Sequence, residues 1–138
     1  MSEEMSPLDA ASRRALYLPD LSSPLVGTEW FVDAHGCAPD RLRSVDLIGR
    51  LFKRIVEELA LHPVGEPLFH AFPPPGGLTG VWILQESHLS CHTFPERDYA
   101  AFDLYCCSPK DEWPWVERLA DELGAARVVV RRVERGAP

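Results

Sequence analysis

The stretch that decides the fold reads Thr79-Gly80-Val81-Trp82-Ile83-Leu84-Gln85-Glu86-Ser87-His88-Leu89-Ser90-Cys91-His92-Thr93-Phe94-Pro95-Glu96. Apolar and polar residues alternate along most of it, which is typical of β-strands with one buried face. The alternation predicts two strands, at about 78–86 and 88–94. The same stretch carries two serine hydroxyls, two imidazoles, a thiol and two carboxylates, so it is also the candidate reactive segment.

Four more strands are predicted outside this stretch. They cover the β-branched and aromatic runs at about 28–34, 66–72, 99–106 and 126–133. The first is expected to end in a turn at His35–Pro39, and a proline-rich segment with two glycines, 73–77, separates the second from the central pair.

Two helices are predicted between these strands. Ser44 is placed to cap the first, which is expected to continue to about His62. Its apolar residues recur at helical spacing: Leu47, Ile48, Leu51, Phe52, Ile55, Val56 and Leu59. The second helix is expected over about 112–123, with Asp111 as its cap and Pro114 in its first turn.

The predicted order is β-α-β-β-β-β-α-β, with strands outnumbering helices. This order favours an α+β fold: a two-layer α/β sandwich in which a mainly antiparallel sheet carries two helices on one face. Residues 1–25 contain three prolines and no clear periodicity, so we expect a flexible N-terminal leader there. Residues 26–138 then form a single domain.

Composition narrows the class of protein. Hydrophobic residues make up 46% of the chain and charged residues 25%, as in ordinary soluble domains. The formal net charge of −7 argues against nucleic acid as a partner. No signal-peptide pattern and no apolar run of ~20 residues is present, which predicts a cytoplasmic chain without a membrane span. The four cysteines lack CxxC spacing and are expected to be free thiols: Cys37, Cys91, Cys106 and Cys107.

A metal site is the first chemistry that the reactive segment suggests. His88 and His92 would share one face of a strand, but at ~13 Å apart they could not ligate the same ion. A zinc ion holds its histidine nitrogens at ~2.1 Å. Cys91 would point to the opposite face. We therefore expect no metal.

Hydrolysis and self-cleavage are the other two chemistries. A serine hydrolase of the usual α/β type would need a Gly-x-Ser-x-Gly turn, which Ser87 lacks. In self-cleavage, the Ser87 hydroxyl attacks the carbonyl of Glu86, and β-elimination then cuts the chain. This needs a base and a donor for the oxyanion. His92 and Thr79 have suitable groups, but spacing alone leaves open that His92 is an ordinary strand histidine.

The motifs closely resemble those of the bacterial and archaeal S-adenosylmethionine decarboxylases, in order, from about Gly27 to Val133. The resemblance includes the Glu-Ser-His triplet and the His-Thr-aromatic-Pro-Glu run that follows it. It also includes three further segments: Phe31–Cys37, His70–Gly77 and Tyr99–Cys107. That family is made as proenzymes that cut themselves and convert a serine into a pyruvoyl group.

The resemblance assigns roles to residues of the reactive segment. It implies that Ser87 becomes the pyruvoyl cofactor, that Glu86 becomes the new C-terminus, and that the chain is cut between 86 and 87. It places His92 and Thr79 at positions that assist processing. It implies that Cys107, rather than the adjacent Cys106, is the catalytic proton donor.

The resemblance further implies a substrate and an assembly. Phe72, Leu89 and Glu96 fall at substrate-binding positions, with Glu96 on the ribose and Phe72 against the adenine. The expected reaction converts S-adenosylmethionine to its decarboxylated form and CO₂ for polyamine synthesis, in a homodimer with active sites near the interface. A pyruvoyl decarboxylase of arginine or ornithine, and an unprocessed binding module, remain alternatives.

The chain departs from the family pattern at three places. Thr79 stands where a serine is usual, and its extra methyl restricts the rotamers of the hydroxyl. One additional proline lies in the segment beside Phe72, and Cys91 and Cys106 place extra thiols near the reactive segment.

Overall fold

The computed structural model describes residues 26–136, so the expected leader over 1–25 lies outside the described residues. They form one six-stranded sheet in the order β2-β3-β4-β5-β1-β6, and every neighbouring pair is antiparallel. The strands are β1 (Gly27–His35), β2 (Leu68–Ala71), β3 (Leu78–Ile83), β4 (Ser87–Phe94), β5 (Tyr99–Cys106) and β6 (Arg127–Arg135). The helices are α1 (Pro39–Leu42), α2 (Val45–Glu58) and α3 (Trp115–Leu123).

One face of the sheet packs against the helices, which confirms the predicted α+β sandwich. Its buried side chains join those of α2 and α3 in one core. The buried side chains of the sheet lie side by side on neighbouring strands. Trp30 is paired with Leu104, Leu104 with Leu89, and Leu89 with Trp82. In the described range, no helix is long and apolar enough to cross a membrane.

Helix α2 begins as predicted but ends early. The Ser44 hydroxyl oxygen accepts the Leu47 N–H at 3.1 Å and caps the helix. The helix ends at Glu58 rather than His62, because Ala60 adopts a left-handed φ of 53°. His62 also precedes a proline, which disfavours helical backbone. Residues 62–64 therefore leave the helix axis and run beside the sheet.

Helix α3 ends at Leu123 as predicted but begins at Trp115, so the predicted start near 112 is wrong. Pro114 occupies the cap position, and Asp111 is not the cap. The reason is again steric, since Trp113 precedes a proline and is pushed out of the helical region. The one-turn helix α1, which follows the expected turn after β1, was not predicted.

The central pair of strands is separated by a tight turn, Leu84–Ser87. The Leu84 N–H donates to the Ser87 carbonyl at 2.9 Å, and the Ser87 N–H approaches the Leu84 carbonyl at 3.5 Å. Strand β3 therefore ends at Ile83 instead of the predicted 86. The Glu86–Ser87 peptide bond, which the sequence resemblance predicts to be cut, lies inside this turn, and we call the turn the cleavage turn.

The second face of the sheet is not covered by any described element, and we call it the open face. It carries polar and apolar side chains that alternate with those of the core. Five large apolar side chains on it are exposed: Leu68, Val81, Ile83, Phe94 and Val133. Three of them, Leu68, Val81 and Ile83, lie together on β2 and β3, and exposed apolar patches of this kind are typical of interaction faces.

Candidate active site

The cleavage turn holds Glu86 by its main chain and its side chain. Its carbonyl oxygen accepts the backbone N–H of Cys107 at 2.8 Å, across the end of β5. Its carboxylate has no exposed surface. A carbonyl fixed on an N–H donor is polarised, and the same donor can stabilise the negative charge that forms there when a nucleophile attacks.

Ser87 lies beside that carbonyl with an available hydroxyl. Its Oγ is buried and has no hydrogen-bond partner of normal geometry among the described residues. Cys106 is its register partner on β5 and lies near enough to interact weakly with the hydroxyl. Burial raises the pKa of the Cys106 thiol to about 11, so this neighbour stays neutral at physiological pH. A buried hydroxyl without a partner is unfavourable in a purely structural role.

Four of the other predicted site residues meet at the opposite end of β4. Phe72, Thr79, His92 and Glu96 line one cleft of about 330 Å³. Thr79 and His92 are register partners on β3 and β4, and the Thr79 hydroxyl lies 3.2 Å from Nδ1 of His92. We call the space that these four residues line the cleft.

The cleavage turn and the cleft are far apart within one chain. His92 lies five residues from Ser87 along an extended strand, which corresponds to roughly 16 Å. Phe94, the last residue of the strand and part of the cleft lining, lies roughly 23 Å away by the same measure. The structure therefore brings together Glu86, Ser87 and Cys107, but it separates them from the residues of the cleft.

Two substrate-binding predictions involve residues in very different environments. Phe72 is 51% exposed, and its ring makes an edge contact with His70 at a centroid distance of 4.5 Å. Leu89 is fully buried on the helix side of β4. Any contact between Leu89 and a substrate would therefore use its main chain.

His62 is a partner of the cleavage turn that the sequence did not reveal. Its backbone N–H donates to Oε1 of Glu86 at 3.1 Å, and its ring Nδ1 contacts Oε2 of the same carboxylate. Since the two residues are 24 positions apart, no local spacing indicates the pair. The only sequence signal was the helix-ending Pro63, which directs the chain toward the sheet.

The open face also carries a pair of acidic side chains, Glu29 and Asp103, with His88 close by. One ligand-capable atom of each lies within 4.8 Å of the others. Arg135 donates to Glu29 at 2.6 Å. Burial, and then the neighbouring Glu29 carboxyl, raise the pKa of Asp103 to about 7, which Arg135 partly opposes. Two carboxyl groups this close do not readily carry charge at the same time.

This raised pKa predicts how stability depends on pH. Between about pH 4 and pH 7 the folded chain binds more protons at Asp103 than the unfolded chain, so its free energy of unfolding falls as pH rises. Asp103→Asn should therefore raise the melting temperature at about pH 8 and have little effect at about pH 4. Thermal unfolding checks this, with the exposed Asp111→Asn as a control. An equal change at both pH values would contradict the assignment.

Comparisons with known proteins identify the family to which the chain belongs. The S-adenosylmethionine decarboxylase family profile matches residues 28–136. The S-adenosylmethionine decarboxylase proenzymes of Carboxydothermus hydrogenoformans and Thermococcus onnurineus are similar, with 34% and 35% identity over 112 residues. Each alignment covers 80% of this chain, and 87% and 78% of the respective relative.

A solved structure is similar in fold. The crystal structure of the adenosylmethionine decarboxylase from Aquifex aeolicus matches with a TM-score of 0.68 and 26% identity. The match covers 84% of this chain and 95% of that one. Sequence and fold thus agree over the part of the chain that contains both the cleavage turn and the cleft. The chain belongs to the S-adenosylmethionine decarboxylase family.

Proposed function

We propose that this chain is a self-processing, pyruvoyl-dependent decarboxylase that converts S-adenosylmethionine to its decarboxylated form and CO₂ for polyamine synthesis. The observation that carries the proposal is the cleavage turn. There, a buried Ser87 hydroxyl, which has no hydrogen-bond partner of normal geometry in the described part of the chain, lies beside the Glu86 carbonyl, which is held on the Cys107 N–H. Membership of the S-adenosylmethionine decarboxylase family supports the same function.

Processing follows from these contacts. The Ser87 oxygen attacks the Glu86 carbonyl carbon, the C–N bond breaks, and an ester joins the two residues. The hydrogen bond from the Ser87 N–H is long, at 3.5 Å, so little holds the departing nitrogen. A base then removes the Cα proton of residue 87, and elimination releases Glu86 as a carboxylate. Water converts the remaining dehydroalanine to a pyruvoyl group, with loss of ammonia.

The residues present fit a pyruvoyl group at position 87. The carbonyl of residue 87, which survives cleavage, accepts the Leu84 N–H at 2.9 Å and keeps the new terminus in place. When formed, the group supplies a ketone that bonds the substrate amine and takes up the electron pair left by CO₂. Cys107, half-buried at the end of β5 and not in a disulfide, is the proposed donor of the proton to the product carbon.

A homodimer explains why the predicted residues lie in two groups. We propose that the open faces of two copies pack together, so that the cleavage turn of one copy meets the cleft of the other. His92 of the partner then serves as the base for the Ser87 Cα proton, and Thr79 orients its ring. The exposed apolar residues of the open face support this packing.

The cleft is suited to the nucleoside part of the substrate. The Glu96 carboxylate can accept two hydrogen bonds from a ribose diol, and the half-exposed Phe72 ring offers a flat apolar surface for adenine. Arginine and ornithine have neither a diol nor an aromatic base. These contacts favour S-adenosylmethionine over the basic amino acids.

Replacing Glu96 tests this assignment. Glu96→Gln should lower turnover of S-adenosylmethionine by ~10-fold or more, since hydrogen bonds to a charged group contribute roughly 1.5–3 kcal/mol. The measurement is release of CO₂ from fully processed protein. The exposed Glu57→Gln on α2 is the control, because it removes a carboxylate far from the cleft. Unchanged turnover in Glu96→Gln would remove this residue from the substrate site.

The proposed reaction is tested by assaying S-adenosylmethionine, arginine and ornithine in parallel on processed protein. CO₂ release from S-adenosylmethionine alone is the expected result. Release only from arginine or ornithine would retain the pyruvoyl chemistry and refute the substrate. No release from any of the three by processed protein would refute the decarboxylase assignment.

A further inference from the structure

The loop that follows α2 is tied to the cleavage turn by its main chain. Pro63 forms a β-bridge with Leu84, and the Val64 N–H donates to the Ile83 carbonyl at 2.9 Å. The Gln85 N–H donates to the His62 carbonyl at 2.7 Å. This loop therefore fixes the residues that lead into the scissile bond.

The same loop also contacts the buried carboxylate of Glu86. His62 contacts both oxygens, one through its backbone N–H and one through its ring. Among the described residues, no lysine or arginine forms an ion pair with Glu86, and His62 is the residue that contacts both of its carboxylate oxygens. The His62 side chain is 32% exposed whereas that of Glu86 has no exposed surface. A buried carboxylate that loses a partner is strongly unfavourable.

Glu86 is thus held from two sides. His62 holds the carboxylate, while the Cys107 N–H holds the main-chain carbonyl at 2.8 Å. The carbonyl and the side chain belong to one residue, so a displaced carboxylate would turn the carbonyl away from its donor. The attack by Ser87 needs that donor at the moment when charge forms on the oxygen.

We propose that His62 is a positioning residue for self-cleavage, whose imidazole holds the Glu86 side chain and so keeps the scissile carbonyl on the Cys107 amide. The inference rests on the proposed function, since it concerns the cleavage of the same bond. His62 fixes a buried side chain that has no contact with water.

The test measures cleavage rates on freshly synthesised chain. His62→Ala should slow cleavage at least ~10-fold, which corresponds to about 1.4 kcal/mol of barrier. A double-mutant cycle with Glu86→Gln shows whether His62 acts through the Glu86 side chain. In the Glu86→Gln background, where the carboxylate that His62 holds is absent, His62→Ala should slow cleavage much less than it does in the parental chain. His35→Ala, which removes a half-buried imidazole far along the sheet, is the control and should cleave normally.

A second measurement separates positioning from folding. Melting temperatures of the uncleavable Ser87→Ala protein are compared with and without His62→Ala. The expected pattern is a small difference in melting temperature, slow cleavage of His62→Ala, and a much smaller effect of His62→Ala in the Glu86→Gln background. A collapse of the melting temperature, or an equal slowing by His62→Ala in both backgrounds, would overturn the positioning role.

The outcomes also distinguish this inference from the proposed function. If the parental chain is not cleaved at all, the proposed function fails. If the parental chain is cleaved and His62→Ala is cleaved equally fast, only the role of His62 is refuted.

Discussion

Ser87→Ala should abolish cleavage completely and leave the chain at full length. Alanine has no hydroxyl, so the ester that replaces the Glu86–Ser87 peptide bond cannot form. The change removes one buried oxygen that has no hydrogen-bond partner, and the fold should survive it. Denaturing electrophoresis of purified protein gives the readout, as one band in the variant and two in the parent.

Ser90→Ala is the matched control for this experiment. It removes a hydroxyl three positions away on the same strand, on the open face rather than at the cleavage turn. It should be cleaved like the parent. Cleavage of the Ser87→Ala chain at the same bond would show that Ser87 is not the nucleophile and that processing follows another route.

His92→Ala should also block processing. Pairing this variant with a Ser87→Ala copy in one dimer should relieve the block. Elimination from the ester needs a base at Cα, and the His92 of the same chain lies roughly 16 Å from Ser87. In a mixed dimer with Ser87→Ala, the His92→Ala copy keeps its serine and faces an intact His92 of its partner. That copy should be cut, while the Ser87→Ala copy should stay intact.

The mixed dimer is made by co-expressing the two variants with different affinity tags and purifying through both in sequence. Each variant expressed alone is the control and should stay at full length. Efficient cleavage of His92→Ala alone would contradict the role of His92. Mixed dimers in which neither copy is cut would contradict a site shared between two copies.

The strands and the start of α2 could be predicted because their signals are local. Alternation around Trp82 and Leu89, and the Ser44 cap, are patterns that depend on residues a few positions apart. Two of the wrong boundaries, at His62 and at the start of α3, lie beside prolines. There the steric effect of the proline outweighed an apolar pattern that was otherwise compatible with helix.

The residues of the site could be proposed from motifs, but their grouping could not. Sequence order places Ser87 and His92 close together, whereas an extended strand separates them. The donor to the scissile carbonyl is a backbone N–H, which any residue at position 107 except proline would provide. The contact between His62 and the Glu86 carboxylate depends on how a loop returns to the sheet. None of these contacts has a signature in local spacing.

The central claim, that this chain cuts itself at residue 87 and makes a pyruvoyl group, is tested most directly by intact-mass measurement of the purified protein. The account predicts two chains: residues 1–86 ending in a normal carboxylate, and a second chain starting at position 87. The second chain should be lighter by one ammonia than simple hydrolysis would make it. A single full-length mass, or a second chain that begins with an unmodified serine, would contradict it.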